Sequence, residues 1–412
     1  MQRVSGNFKK FLLLWSGELV SSIGGGLTSF GLGVYVFNMT GSAAGMALVT
    51  LLGFLPTLVL GVPAGVLADK YDRRLLMMIG DGCSAIGIIY ILIAMMTGGA
   101  SLLEICIGVT ISSVFSALLE PSYKATITDI LTKDEFSKAN GLVSMAGSAR
   151  YLFSPVIAGF LLSVSDVKLL LIIDICTFFL TVISAAVVRR GTPTNATEED
   201  ISFMESMKEG WKIITGNKGV LMLVVVASFI TLFMGMFQIL AEPFVLSFSD
   251  AKTLGLTETI CACGMLVTAI YLGIKGIKRR FAMLMSVSLI LAGAFMYGFG
   301  RTTNIAILCA FGFLFFASLP IANNCLDYLI RTNIRADAQG RAWGLIGFLS
   351  QIGYVVAYAV SGVAADLIGK ATGGGVGFGS GTVIQVAGVM LVIIAGSILR
   401  MRSIRRLENL PE

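Results

Sequence analysis

Several ionisable residues lie inside long apolar stretches of the sequence, and four of them are the main candidates for chemistry there. They are Glu18, Arg150, Asp174 and Glu242. An ionisable group in such surroundings costs free energy unless it is paired, hydrated or neutralised, so each is a candidate functional residue. Burial disfavours the charged form of a carboxyl group, so a buried acid can bind and release a proton. The chain has no histidine, so proton transfer would depend mainly on carboxyl groups.

Two interpretations of these charges stay open. In the first, Glu18 and Arg150, which lie at similar depth, form a fixed ion pair that holds helices together. In the second, at least one of the acids is a proton or substrate site. Asp81, Glu120 and Asp327 lie nearer the ends of apolar stretches, where we expect them to reach water or cap a helix.

The composition predicts an integral membrane protein. Of the 412 residues 56% are hydrophobic and only 13% are charged, whereas soluble domains carry roughly 25% charged residues. A bilayer accommodates so much apolar surface because lipid itself is the apolar solvent. The seven cysteines lie in or beside apolar runs, which indicates free thiols used as small apolar residues. Without histidine the common His-bearing zinc sites are excluded, and we expect no cofactor.

Twelve apolar runs, most of them at least the roughly 20 residues needed to cross a bilayer, predict twelve transmembrane helices. The runs lie near residues 11–37, 43–67, 75–97, 102–125, 138–163, 168–189, 218–248, 255–274, 281–299, 303–325, 340–369 and 380–400. The sequence therefore predicts an all-α membrane protein.

The distribution of basic residues predicts the orientation of these spans. If the N-terminus is cytoplasmic, 25 of the 30 Lys and Arg residues fall on the cytoplasmic side, four fall outside and Arg150 lies within a span. Cytoplasmic loops carry such an excess of Lys and Arg. We therefore expect both termini in the cytoplasm, and we read the net charge of +6 as a topology signal rather than a nucleic-acid-binding surface.

The longest polar stretch divides the spans six and six. We expect an N-terminal domain over 1–190, a cytoplasmic linker over 191–217 and a C-terminal domain over 218–412. Within the linker, Ile201–Ile214 has the pattern of a short amphipathic helix lying on the inner membrane face. The halves also resemble each other weakly, since Pro121 and Pro320 occupy matching positions. Many carriers are built by such duplication.

The loop after the second span contains a recognisable motif. Its Gly, Leu, Ala, Asp and basic pair recur at fixed spacing from Gly65 through Asp69 to Arg73 and Arg74. This segment resembles the signature of the major facilitator superfamily, in sequence and in its position between helices two and three. Asp72 stands where many members have glycine, a variant typical of the drug-efflux and siderophore-exporter branch.

Other segments resemble the bacterial macrolide-efflux and enterobactin-exporter-like drug exporters. They include Leu14–Gly17, Thr40–Ala43 and Ala139–Leu142. Two departures matter: Gly25 stands where relatives often have an acid, and Ser154-Pro155 stands where drug antiporters usually have Gly-Pro. The acidic site of those relatives therefore cannot be transferred to Gly25, and span five gives little support for antiport.

The resemblance implies two pseudo-symmetric six-helix bundles, with substrate bound between them. Asp69 would meet the partial positive charge at the start of span eleven, near Gln339–Gly340, and latch the halves on the inner side. Arg73 and Arg74 would hold the loop through nearby carboxylates and lipid headgroups. Alternatively, these charges only enforce topology.

The same resemblance implies a central cavity lined by spans one and seven, so Glu18 and Glu242 are the preferred substrate or proton sites. The cavity should otherwise be apolar and aromatic with a few polar groups. Candidate lining residues are Phe30, Phe233, Phe237, Gln238, Asn323 and Asn324.

These observations predict a secondary active transporter that exports bulky amphipathic molecules, such as macrolide drugs, by proton-coupled alternating access. We expect a monomer in the bacterial inner membrane whose partners are its small-molecule substrate, protons and lipid, and not nucleic acid. Export of a siderophore or lysolipid is the alternative within transporters. From other classes, a transport-dead sensor and a membrane acyl or glycosyl transferase remain, although no nucleophile motif supports the transferase.

Overall fold

The computed structural model describes residues 6–189, 203–335 and 339–408, and the regular secondary structure there is entirely α-helical. The helices are α1 (Gly6–Thr40), α2 (Ala43–Lys70), α3 (Arg73–Thr97), α4 (Leu102–Ser116), α5 (Leu119–Ile130), α6 (Lys133–Val164), α7 (Val167–Arg189), α8 (Phe203–Gly216), α9 (Lys218–Leu246), α10 (Ala251–Lys275), α11 (Phe281–Arg301), α12 (Ile305–Thr332), α13 (Gln339–Thr372), α14 (Gly375–Arg400) and α15 (Arg402–Leu407).

Twelve helical segments among the described residues are long and apolar enough to cross a membrane, which confirms the predicted spans. The fourth span consists of α4 and α5, which meet at Ala117 and Leu118. Pro121 lies in the first turn of α5, where its missing N–H would have no intrahelical partner in any case. The helix therefore restarts there at little cost.

Most spans are longer than the apolar runs predicted, and two examples are α12 and α14. Helix α12 continues to Thr332, and α14 begins at Gly375 rather than near residue 380. The glycines at the start of α14 allow close helix contact, since a Cβ at Gly379 would overlap the carbonyl oxygen of Ala365. The predicted amphipathic helix is present as α8, in which Ile214 is buried and Trp211 is exposed.

The helices form two compact units. The first comprises residues 1–40, 48–199 and 251–256, and the second comprises 41–47, 200–250 and 257–412. The predicted division at a 191–217 linker stays a prediction, and residues 191–202 of that linker lie outside the described residues.

In the first unit, α1 packs along α7 through three glycines spaced seven residues apart. Gly17, Gly24 and Gly31 each face side chains of α7 that a Cβ would crowd. At Gly24 the crowded atoms belong to Thr177 and Asp174, whose Oδ1 would lie 2.9 Å from the added Cβ. Small residues let two membrane helices approach closely. This seam therefore holds the Asp174 carboxyl group against α1.

In the second unit, α9 packs against α13 and α14, and α11 packs against α12 and α14. Phe237 of α9 stacks on Phe315 with ring centroids 4.4 Å apart, and contacts Phe299 at 4.6 Å. At the end of the chain, Glu408 accepts a hydrogen bond from the Phe281 backbone N–H at 2.7 Å, which caps the start of α11.

Candidate functional site

The signature loop connects α2 to α3 in the first unit. Asp69 is exposed, and among the described residues its Oδ1 lies 3.7 Å from Nη2 of Arg73. A Cβ at Gly65 would meet no described atom within 4 Å. The docking of Asp69 on span eleven stays a prediction.

Asp129 of α5 binds the two signature arginines. Its Oδ1 lies 2.5 Å from Nη1 of Arg73, and its Oδ2 lies 3.6 Å from Nη2 of Arg74. Arg73 also donates to the backbone carbonyls of Ala68 and Ala125. Arg74 is 1% exposed, so its charge is held inside the unit rather than among lipid headgroups. Sequence reasoning missed Asp129, although it is the acid nearest the inner end of span four.

Asp72 joins this loop to the end of span six. Its Oδ1 accepts a hydrogen bond from the Arg74 backbone N–H and caps α3, while its Oδ2 accepts from Nε of Arg189 at 2.6 Å. Partial burial acts to raise the pKa of Asp72, but the hydrogen bonds from Arg189 and the α3 backbone outweigh it, so the pKa is lowered. Asp72 is therefore ionised and structurally engaged near neutral pH.

The first unit also contains the predicted acids Glu18 and Asp174. Glu18 is half-buried and accepts a hydrogen bond from Ser22 Oγ at 3.5 Å. Asp174 is 1% exposed and lies 3.4 Å from Oγ1 of Thr177. Asp81 of α3 is equally buried, contrary to the expectation that it reaches water or caps a helix. That expectation failed because α3 packs against α4, α5 and α7, which enclose the residue.

Arg150 does not pair with Glu18 among the described residues. Its Nη2 instead donates to Ser29 Oγ at 3.1 Å. The expected Glu18–Arg150 ion pair is therefore not formed among the described residues.

In the second unit, Glu242 has an acidic neighbour that sequence reasoning missed. Glu258 of α10 lies near enough for its charge to interact with that of Glu242. Both residues are half-buried. Glu258 was detectable as an acid inside the eighth apolar run.

A cavity of about 200 Å³ opens in the second unit between α9, α12 and α13. Drug-sized ligands need roughly 300–1,000 Å³, so this cavity can hold only part of such a molecule. Its wall combines apolar, aromatic and polar side chains, with one carboxylate. The residues that give this character are Thr231, Met234, Asn323, Asp327, Trp343 and Tyr354.

The predicted lining residues separate into two groups. Asn323 lines this cavity, and Asn324 is exposed beside it on α12. Gln238 is half-buried and contacts Tyr358 Oη at 3.4 Å.

The three predicted phenylalanines are core residues instead, which corrects their assignment to a cavity wall. Phe30, Phe233 and Phe237 are 4%, 1% and 2% exposed. They point into their own units because neighbouring helices bury them, and the apolar pattern alone could not separate core faces from cavity faces.

The profile of the Major Facilitator Superfamily matches residues 14–358. This chain belongs to that superfamily. It is therefore a multi-pass membrane protein of a transporter family, as the motif from Gly65 to Arg74 predicted.

Curated relatives extend over most of the chain. The Macrolide efflux protein A of Streptococcus pyogenes is 27% identical over 374 residues, which cover 87% of this chain and 90% of the relative. The Multidrug efflux pump Tap of Mycolicibacterium fortuitum is 22% identical over 372 residues, with the same coverage of 87% and 90%.

Solved structures share the fold at low identity. A bacterial homolog of the human lysosomal transporter Spinster superposes with a TM-score of 0.75 at 14% identity, over 100% of both chains. A D-xylose-proton symporter superposes with a TM-score of 0.74 at 14% identity, over 96% of this chain and 97% of the symporter. These similarities show the fold alone.

Proposed function

We propose that this protein exports bulky amphipathic molecules of the macrolide type, in exchange for protons, across the bacterial cell membrane. The observation that carries this proposal is the 27% identity to Macrolide efflux protein A along nearly the whole of both chains. The similarity to the multidrug pump Tap supports a drug-like substrate. The protein acts as a monomer with both termini in the cytoplasm.

The cavity in the second unit supports an amphipathic substrate. Met234, Trp343 and Tyr354 offer apolar and aromatic surface, and Asp327 offers a negative charge at the exposed side. Aromatic faces and a carboxylate together suit a ligand that joins a large apolar body to an amine. Methionine repacks readily around ligands of different shape.

The buried acids support proton coupling. A proton-motive force of about 150 mV supplies about 3.5 kcal/mol per proton, enough for a concentration ratio of a few hundredfold. One protonatable carboxyl group per substrate molecule therefore suffices. Glu18, Asp174 and Glu242 are the candidates.

The test is accumulation of labelled erythromycin in an efflux-deficient bacterial strain that expresses the protein. We expect lower accumulation than with the empty vector, restored to the vector level by an uncoupler. Glu18→Gln, Asp174→Asn and Glu242→Gln each remove one candidate carboxyl group, and we expect at least one of them to abolish export.

Glu104→Gln is the matched control, since Glu104 is an exposed acid that caps α4. It should export like the wild type. Accumulation equal to the empty vector, with the protein present in the membrane, would refute macrolide export and direct the search to siderophores and lysolipids. Export that survives the uncoupler would refute proton coupling.

A further inference from the structure

Asp81 is a buried acid for which the structure provides no compensating partner. It lies on α3, is 1% exposed, and neither carboxyl oxygen has a hydrogen-bond partner. Other buried hydroxyls near it on α3 do have partners: Ser84 Oγ donates to the Gly80 carbonyl at 2.6 Å. The carboxyl group of Asp81 thus lacks the hydrogen bonds that satisfy Ser84, one turn farther along α3.

The charged neighbours of Asp81 are acids. Glu18 on α1 and Asp174 on α7 both lie close enough to act on its charge. Glu18 is in turn close to Tyr123 of α5, which is 5% exposed and whose hydroxyl has no described partner. Glu120 of α5 adds a further negative charge near Glu18.

Arg150 is a cation whose charge reaches Glu18 and Asp174. The three acids belong to α1, α3 and α7 of the first unit.

An isolated ionised carboxylate without partners is so costly to bury that the group neutralises instead. Two further acids nearby increase this cost, because like charges disfavour the ionised form. Asp81 is buried without a hydrogen-bond partner and has two acids nearby, and it can remain there at low cost only if its carboxyl group carries a proton. Hydrogen bonds do not explain its presence in the core, so proton binding is the role that remains.

We propose that Asp81 is a proton-binding site of the transport cycle. The O–H bond at Asp81 breaks when its proton passes to water and forms again when a proton is taken up, and no oxidation occurs. This inference rests on the proposed proton-coupled export.

The first experiment is difference infrared spectroscopy of the purified full-length protein, with no substrate present. A protonated carboxylic acid has a C=O stretching band that ionised carboxylates lack and that shifts in D₂O. We expect several such bands near neutral pH in the wild type, because other embedded acids are also candidates to carry a proton, and we expect Asp81→Asn to remove one of them. Asp81→Glu should keep the band at a shifted frequency, so it decides the assignment if the Asn variant does not fold.

Asp166→Asn is the matched control. Asp166 is an exposed acid in the turn between α6 and α7, and it forms an ion pair with Lys168. The substitution should leave the bands unchanged. If every band survives Asp81→Asn unaltered and none shifts in Asp81→Glu, or if the wild type has no such band, the proposal is overturned.

A second measurement separates this proposal from the proposed substrate. Erythromycin is added to weakly buffered protein, and proton release is followed with a pH indicator dye while binding is measured by tryptophan fluorescence. We expect release in the wild type and its loss in Asp81→Asn with binding retained. Binding without proton release in the wild type would overturn the proposal, whereas absence of binding would overturn the macrolide assignment and leave the infrared result to decide the proton site.

Discussion

Arg189 donates a hydrogen bond from Nε to Asp72 Oδ2 at 2.6 Å, and this contact joins the end of α7 to the start of α3. The same carboxylate caps α3 through the Arg74 backbone N–H. Asp72 occupies the position where many members of the superfamily have glycine. The substitution thus adds a fixed connection between the signature loop and the residue that ends the sixth span.

This connection predicts a pH-dependent contribution to stability. The pKa of Asp72 is lowered in the folded protein, so its stabilising effect is present above the unfolded pKa of about 3.9. The effect is lost as the pH falls through the lower folded pKa. Asp72→Asn should lower the melting temperature at pH 7, and the difference from the wild type should shrink below about pH 4.

Asparagine is a good N-cap, so Asp72→Asn isolates the charge, whereas Asp72→Ala should lose about 1 kcal/mol more with the cap. Since Arg189 is partly exposed, we expect the charge to contribute less than about 1 kcal/mol. A difference between wild type and Asp72→Asn that grows below pH 4 would contradict this account. Asp166→Asn serves as the control for removal of an exposed acid.

Asp129→Asn should strongly destabilise the signature loop. It removes the carboxylate that faces Arg73 and Arg74, and it leaves the Arg74 charge buried. Removing one partner of a buried ion pair costs about 3–5 kcal/mol. We expect a clear fall in melting temperature and loss of export.

The matched control for Asp129 lies on the same helix. Glu120→Gln breaks the exposed pair with Lys124 and should change the melting temperature little. Equal effects of the two substitutions would show that Asp129 does not anchor the arginines.

Gly24→Ala should disrupt the seam between α1 and α7. The added Cβ would overlap Thr177 Oγ1 and crowd Asp174 Oδ1. Overpacking of this kind costs about 1–3 kcal/mol, more than the roughly 1 kcal/mol that alanine gains over glycine in a helix. We expect a lower melting temperature and impaired export.

Gly25→Ala is the control, because a Cβ there meets no described atom within 4 Å. It should fold and export like the wild type or better. Tolerance of alanine at Gly24 would mean that the seam is not closely packed.

Phe237→Ala should act through stability rather than substrate binding. Its ring is 2% exposed and packs on Phe299 and Phe315. Deleting a buried phenylalanine side chain costs about 3–5 kcal/mol. Phe378→Ala, at a ring 54% exposed, should cost little. If Phe237→Ala instead abolished erythromycin binding without changing the melting temperature, Phe237 would have to line the binding cavity.

Asp327→Asn should weaken binding of cationic macrolides at the cavity of the second unit. Removing the carboxylate removes the charge that an amine would face, and we expect the Kd for erythromycin to rise about tenfold, which equals about 1.4 kcal/mol. Fluorescence of Trp343, measured in a variant without Trp15 and Trp211, reports binding directly. An unchanged Kd would show that Asp327 does not contribute to binding. Asp166→Asn, which removes one negative charge elsewhere, is the control for net charge.

The sequence alone determined the twelve spans, because crossing a bilayer requires a long apolar run that any one segment either has or lacks. It also determined the superfamily, because the motif from Gly65 to Arg74 is a short continuous segment whose residue spacing can be recognised without a structure. The candidate acids could be identified for a related reason, because an acid inside an apolar run stands out in the sequence whatever the run packs against. These acids are Glu18, Asp174 and Glu242.

Only the tertiary structure decided which face of each helix is core and which acids meet. Phe237 and Asn323 both lie in apolar runs, yet one is enclosed by other rings and the other lines a cavity. Asp129 forms an ion pair with Arg73, which lies 56 residues earlier in the chain. Asp81 is enclosed because α3 packs against α4, α5 and α7, and the sequence does not show which helices pack together. Helix rotation and packing partners depend on contacts between distant segments, and no local pattern of residues contains that information.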